Sequence, residues 1–162
     1  MLLSRRGLIR ALGRRCMLKA FTHLFSGRQK LRARRLDDPV LGMLRLSENA
    51  DWWEAAVAVR GRAVGFKIGG DAEPSLELIA HAHDIVRAWA DFERMVTEFL
   101  AGEASRQRQY AEEIRRLVVE EVCLFWPERP DDGMIYFSGP DEFRVWRCDY
   151  VGRKLKGLGF DS

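Results

Sequence analysis

PSLELIAHAHDIVRAWADFERMVTEFLAG, residues 74–102, sets Leu78, Ala82, Ile85, Trp89, Phe92, Val96 and Phe99 three or four positions apart. That spacing lines one side of a helix with 3.6 residues per turn. Pro74 and Ser75 supply a start and Ala101-Gly102 a stop, so one long amphipathic helix is predicted. A second helix is expected from about Ala104 to Phe125, with Ala111, Ile114, Val118, Val122 and Phe125 inward, and it ends before Pro127.

The flanks follow a different period. Upstream, Pro39 to Leu46 is short and apolar, and Ser47 to Asp51 forms a polar turn. Trp53, Ala55, Val57 and Val59 alternate with smaller or polar neighbours. Arg60-Gly61-Arg62 turns the chain, and Val64, Phe66 and Ile68 alternate again. Trp52 to Ile68 is therefore predicted to be a β-hairpin with one face inward. Downstream, Glu128 to Gly133 is a loop, and strands are expected over Met134 to Phe137, Phe143 to Tyr150 and Leu155 to Phe160. The order is βββ-αα-βββ. Such segregation predicts an α+β fold, an antiparallel sheet of about five or six strands packed against two amphipathic helices. The apolar phase switches between Val145 and Trp146, which points to a β-bulge or to a sheet covered on both faces.

The chain has 162 residues, 47% of them hydrophobic. That excludes a disordered chain and suits one globular domain. No run of 18 apolar residues occurs, and three scattered cysteines make no disulfide framework, so a soluble protein of the cytoplasm is expected. The net charge of +3 is unevenly spread. Residues 1 to 36 hold 11 Lys and Arg and no acid, leaving 16 basic against 24 acidic residues from Asp37 onward. The organisation predicted is a basic arm over 1–37 and a globular domain over 38–162. The domain is acidic, which argues against nucleic-acid binding through it.

Within the arm, Leu8, Ile9, Leu12 and Cys16 fall on one side of a helical wheel, and Met17, Leu18, Phe21, Leu24 and Phe25 fall roughly opposite. These are two short amphipathic pieces, and the phase break raises Met17 as the true start of translation. Arg5-Arg6 resembles a twin-arginine export signal, but Arg14, Arg15 and Lys19 interrupt the apolar stretch that such a signal needs. A transit peptide or a helix lying on an anionic membrane surface is the other reading. Arg28, Lys30, Arg32, Arg34 and Arg35 are then the candidate membrane or anion contacts.

Signatures of catalysis are sparse. His81 and His83 stand two apart on a helix and cannot chelate one ion, so both are expected to be solvated and no metal is predicted. Gly65, Gly69 and Gly70 fit no phosphate-binding loop, no serine lies in a GxSxG context, and no cofactor is implied. Cys123 and Cys148 read as small buried hydrophobes. Glu121, with Asp131 or Asp132, is the one hydrolase candidate, and an ion pair is its simpler role. Arg147 and Asp149 can pair on one strand face. The aromatics favour binding. Trp52 and Trp53 must point to opposite faces of a strand, and Trp52, Trp126, Trp146 and Tyr150 are the candidate protein-binding residues.

Asp38-Pro39-Val40-Leu41-Gly42, the Trp-led hairpin, the helix pair and the closing Gly157-Leu158-Gly159-Phe160-Asp161 together resemble a family of uncharacterised bacterial α+β domains. In that family an Asp-Pro-Val-Phe-Gly start follows a brief hydrophobic-basic N-terminus; here Leu41 replaces the aromatic. The resemblance spans Met17 to Ser162. It implies no assigned activity or catalytic residue, and it suggests an antitoxin-like immunity role. The function expected is a non-enzymatic protein-interaction module with an unidentified protein partner. The alternative is a peripheral membrane protein held by its arm.

Overall fold

The computed structural model describes residues 34–49 and 51–161. Eight strands lie in one sheet in chain order: β1 (Arg35–Asp38), β2 (Gly42–Leu46), β3 (Trp53–Val59), β4 (Arg62–Ile68), β5 (Val118–Leu124), β6 (Gly133–Ser138), β7 (Val145–Val151) and β8 (Lys154–Asp161). Neighbours pair antiparallel except β4 and β5, which run parallel. Between those two the chain makes α1 (Leu76–Arg87), α2 (Trp89–Arg106), a 3-10 turn (Arg108–Tyr110) and the single-turn α3 (Ala111–Ile114).

The expected antiparallel sheet of five or six strands on two helices is thus corrected, among the described residues, to a mixed eight-stranded sheet with three helices. Two strands were concealed in the sequence. Strand β1 reads RLDD, with none of the apolar alternation that marks a half-buried strand, and its residues are mostly exposed. Strand β5 occupies residues whose spacing predicts the end of a helix. A register shift between Val119 and Glu121 puts an extra residue into it, so its inward residues Val119 and Val122 stand three apart and imitate a helical period. The parallel β4–β5 pair follows, because the helical excursion between them carries the chain back to its starting end.

The long helix is two. Ala88 leaves helical geometry at φ −100° and ψ 31°, yet its N–H still reaches Asp84 O and its carbonyl accepts from Phe92 N. Leu78, Ala82, Ile85, Trp89, Phe92 and Val96 all pack into the core as the spacing requires. Their partners are the inner residues of the sheet, among them Phe66, Ile68, Val122, Ile135, Phe137 and Trp146. The predicted hairpin is present as β3–β4, its two-residue turn closed by Arg60 and Gly61 at φ 47° and 81°. Both residues lie in the left-handed region that the twist of a tight hairpin demands. No bulge separates Val145 from Trp146: Trp146, Cys148 and Tyr150 face inward, and Phe143 lies outside the strand.

The Asp-Pro-Val-Leu-Gly stretch has a physical role. Asp38 Oδ1 accepts from Val40 N at 2.9 Å, from Leu41 N at 2.7 Å and pairs with His83 Nε2 at 2.8 Å. One carboxylate therefore shapes the β1–β2 turn, seats the buried Leu41 and ties the turn to α1. Burial works to raise the Asp38 pKa, but the two N–H groups and the His83 ring outweigh it and hold the carboxyl below its ordinary 3.8. The sign follows: this contribution is present above pH 3.8 and is lost as pH falls through the lower, folded value. Asp38→Ala is expected to destabilise by about 1–3 kcal/mol at pH 7 and by less in acid. Urea melts at pH 7 and pH 3 check this, and an equal loss at both would contradict it.

Candidate functional site

Helices bury one face of the sheet; among the described residues nothing covers the other. Outward positions alternate with core positions along β3 and β4, so Glu54, Ala56, Ala58, Ala63, Gly65 and Lys67 share the open face. Beyond the bulge in β5, Glu121 and Cys123 join them, followed two residues later by Phe125.

At the centre, Lys67 Nζ lies 2.9 Å from Glu121 Oε2. Burial works to lower the Lys67 pKa, but the Glu121 carboxylate outweighs it and raises the pKa, so the ammonium is retained near neutrality. Cys123 Sγ lies 3.5 Å from the same carboxylate. Burial first and then the Glu121 charge push its pKa far up, so the thiol stays protonated and is no nucleophile. Tyr136, raised chiefly by burial, is a neutral phenol here. A trough of about 640 Å³ runs over Gly65, Lys67, Glu121, Tyr136 and Val145, and a second of about 560 Å³ continues past Lys67 and Glu121 to Glu54, Arg45 and Met43.

Both ends of this face are apolar. At one end the Trp52 ring packs on Phe125 with centroids 5.8 Å apart, and Phe125 meets Trp126 edge-on at 6.0 Å. Trp52 Nε1 donates to Glu54 Oε1 at 2.7 Å, while Lys67 and Arg129 lie over the Trp52 and Trp126 rings at 5.1 and 4.7 Å. At the other end Val118 and Val145 are about half exposed and Phe143 is 81% exposed. Val118 stands opposite Ser138 on β6, next to the start of β7, so Val118 and Val145 form an apolar lip, and Phe143 lies two residues before Val145 in the turn that leads into β7.

Of the four aromatic candidates, the structure brings two together. Trp52 and Trp126 flank Phe125; Trp146 and Tyr150 are buried on the helix side of the sheet and take no part in the open face. As the strand geometry requires, Trp53 takes the inner face and Trp52 the outer one. Sequence reasoning missed Phe125, Lys67, Val118, Val145 and Phe143. A strand reading of 118–125 would have found Phe125, because it places that residue on the same face as Glu121 and Cys123.

The hydrolase grouping does not assemble. Glu121 is held by Lys67 on the open face, Asp131 binds Arg153 Nε at 2.6 Å, and Asp132 accepts from Gly152 N at 2.9 Å. Both aspartates hold the β7–β8 turn. Arg147 reaches Asp161 at 3.0 Å, not Asp149. The histidines are not solvated either: His83 pairs with Asp38, and His81 is buried. Of the basic run, Arg28, Lys30 and Arg32 lie outside the described residues. Arg34 donates to Ala72 O at 2.9 Å, and Arg35 begins β1 opposite Arg45. No helix among the described residues is long and apolar enough to cross a membrane, and no cluster of His, Cys, Asp and Glu there could hold a metal. Comparison of the chain with protein-family models, with curated proteins and with solved structures finds no match in any of the three.

Proposed function

We propose that this chain is a non-enzymatic protein-interaction module, immunity-like in acting by occupancy, and that the open face of its sheet is the contact surface. The observation that carries the reading is the pairing of two apolar ends across a polar centre, the half-buried Trp52–Phe125–Trp126 group and the exposed Val118 and Val145 with Phe143 just before β7. Aromatic anchors around a central ion pair are the composition of a binding surface, and exposed apolar residues grouped this way seldom occur without one. From Asp37 onward acids exceed bases by 24 to 16, which favours a basic partner and fast, salt-sensitive association.

A C-terminally tagged full chain, purified gently from its native host, is expected to carry one protein at comparable abundance by mass spectrometry. Trp52→Ala combined with Phe143→Ala should weaken that complex at least about tenfold. Leu76→Ala, exposed on α1, should leave it intact. Equal retention by the double variant, or loss with Leu76→Ala alone, rejects the open face. Retention of vesicles of anionic lipid in place of a protein would support attachment through the arm.

A further inference from the structure

On the helix side of the sheet, away from the face just described, lies a group the fold leaves unsatisfied. His81 on α1 is 4% exposed, and neither Nδ1 nor Nε2 has a hydrogen-bond partner. Asp131 Oδ1 is 3.9 Å from Nδ1, too far for a hydrogen bond. The ring stacks on Tyr150 with centroids 5.8 Å apart and planes at 22°. Burial and then the Arg153 charge hold its pKa below the usual 6.5, against the pull of Asp131 and Asp84. The imidazole is therefore neutral and has one donor and one acceptor nitrogen to offer. Buried polar groups are normally paired, and an exception calls for a reason.

The unpaired ring lines a cleft of about 240 Å³ between the α1–α2 break and the β7–β8 turn. Phe92 and Met95 give it an apolar wall and Tyr150 an aromatic one; Asp84, Asp91 and Arg153 stand around it. The charges decide which ligand fits. Arg153 is already engaged, with Nε 2.6 Å from Asp131 and Nη2 3.9 Å from Asp84. An anion would have to displace Asp131 and face two further carboxylates. A cationic nitrogen meets better conditions: the exposed Asp84 carboxylate, an Asp91 that already pairs with Arg94 at 2.9 Å, an acceptor nitrogen on His81, and aromatic rings, which favour a cation.

We propose that this cleft binds a primary ammonium group on a short apolar stem, with His81 and Asp84 as its polar contacts and Phe92, Met95 and Tyr150 around the stem. That chemistry has two sources, a free arylalkylamine and a lysine side chain of a partner. The proposal does not depend on the open face being a contact surface.

The test is an NMR titration of the full chain, following the His81 ring protons and the backbone amides of α1 and α2. The probes are benzylamine, benzyl alcohol, benzoate and Nα-acetyl-lysine methylamide. Saturable shifts at His81 with benzylamine, at least threefold tighter than with benzyl alcohol and absent with benzoate, are expected. Asp84→Asn should weaken benzylamine at least threefold, and His81→Phe should abolish it. Because His81→Phe alters a buried position, the exposed Asp84→Asn keeps the proposal testable if the former does not fold. No saturable shift with benzylamine, equal binding of the alcohol or benzoate, or unchanged affinity in Asp84→Asn overturns it. A tighter acetyl-lysine derivative assigns the source to a partner's lysine, and a tighter benzylamine to a free amine; either upholds the ammonium site.

Discussion

Trp146→Ala is expected to remove about 3–5 kcal/mol of stability, the range for truncating a fully buried tryptophan. Trp146 has no exposed surface. Its ring packs against Phe160 at 4.7 Å and meets Tyr110 edge-on at 5.8 Å, and its Nε1 donates to Glu113 Oε1 at 2.7 Å. Arg144 completes the group, paired with Glu113 and lying over the Tyr110 and Phe160 rings. One side chain thus joins β7 and β8 to the 3-10 turn and α3. Its loss opens a cavity and leaves the part-buried Glu113 with Arg144 alone. A domain of this size is stable by about 5–15 kcal/mol in total, so the loss is a large fraction of the whole. Urea denaturation followed by circular dichroism measures the loss, and a value under about 1 kcal/mol would contradict the assignment. Trp146→Phe keeps most of the packing but not the Glu113 bond, so the difference between the two variants separates the contributions.

Gly133→Ala should be at least as damaging, by about 3 kcal/mol or more, through a single methyl group. A Cβ at Gly133 would lie 2.2 Å from the backbone oxygen of Cys123 and 3.1 Å from Leu124 Cδ2. The first of these is backbone in the paired strand β5 and cannot turn aside, so β5 and β6 must part at the start of β6. Gly102→Ala is the matched control. It lies exposed within α2 with no atom near the new Cβ, so the same change should stabilise by about 0.5–1 kcal/mol through better helix propensity. If both variants shift stability in the same direction, the close approach of β6 to β5 is wrong.

How much of this was legible beforehand depends on the range of the interactions concerned. The hairpin at β3–β4, the inward side of residues 78–96 and the opposed faces of Trp52 and Trp53 follow from periodicity and turn chemistry within a few residues. The buried, unpaired cysteines were readable in the same way. The open face was legible only through Trp52 and Trp126. Its remaining members depend on pairing between β4 and β5, whose partners Lys67 and Cys123 are 56 positions apart.

By itself, then, the sequence determined the segregation of strands around a helical centre, the acidity of the domain and the core stripe of its helices. Those properties reside in local spacing and composition. Tertiary structure alone decided the number of strands, the parallel β4–β5 pair, the burial of Trp146 and Tyr150, and the unpaired state of His81. RLDD becomes a strand only because β2 offers it a hydrogen-bonding edge. Val118–Leu124 becomes a strand because the vacant edge of β4 outweighs a helical spacing that a bulge had only imitated. His81 lost its solvent when Tyr150, 69 positions later, came to lie against its ring. Such outcomes depend on which surfaces meet, and no window of neighbouring residues contains that information.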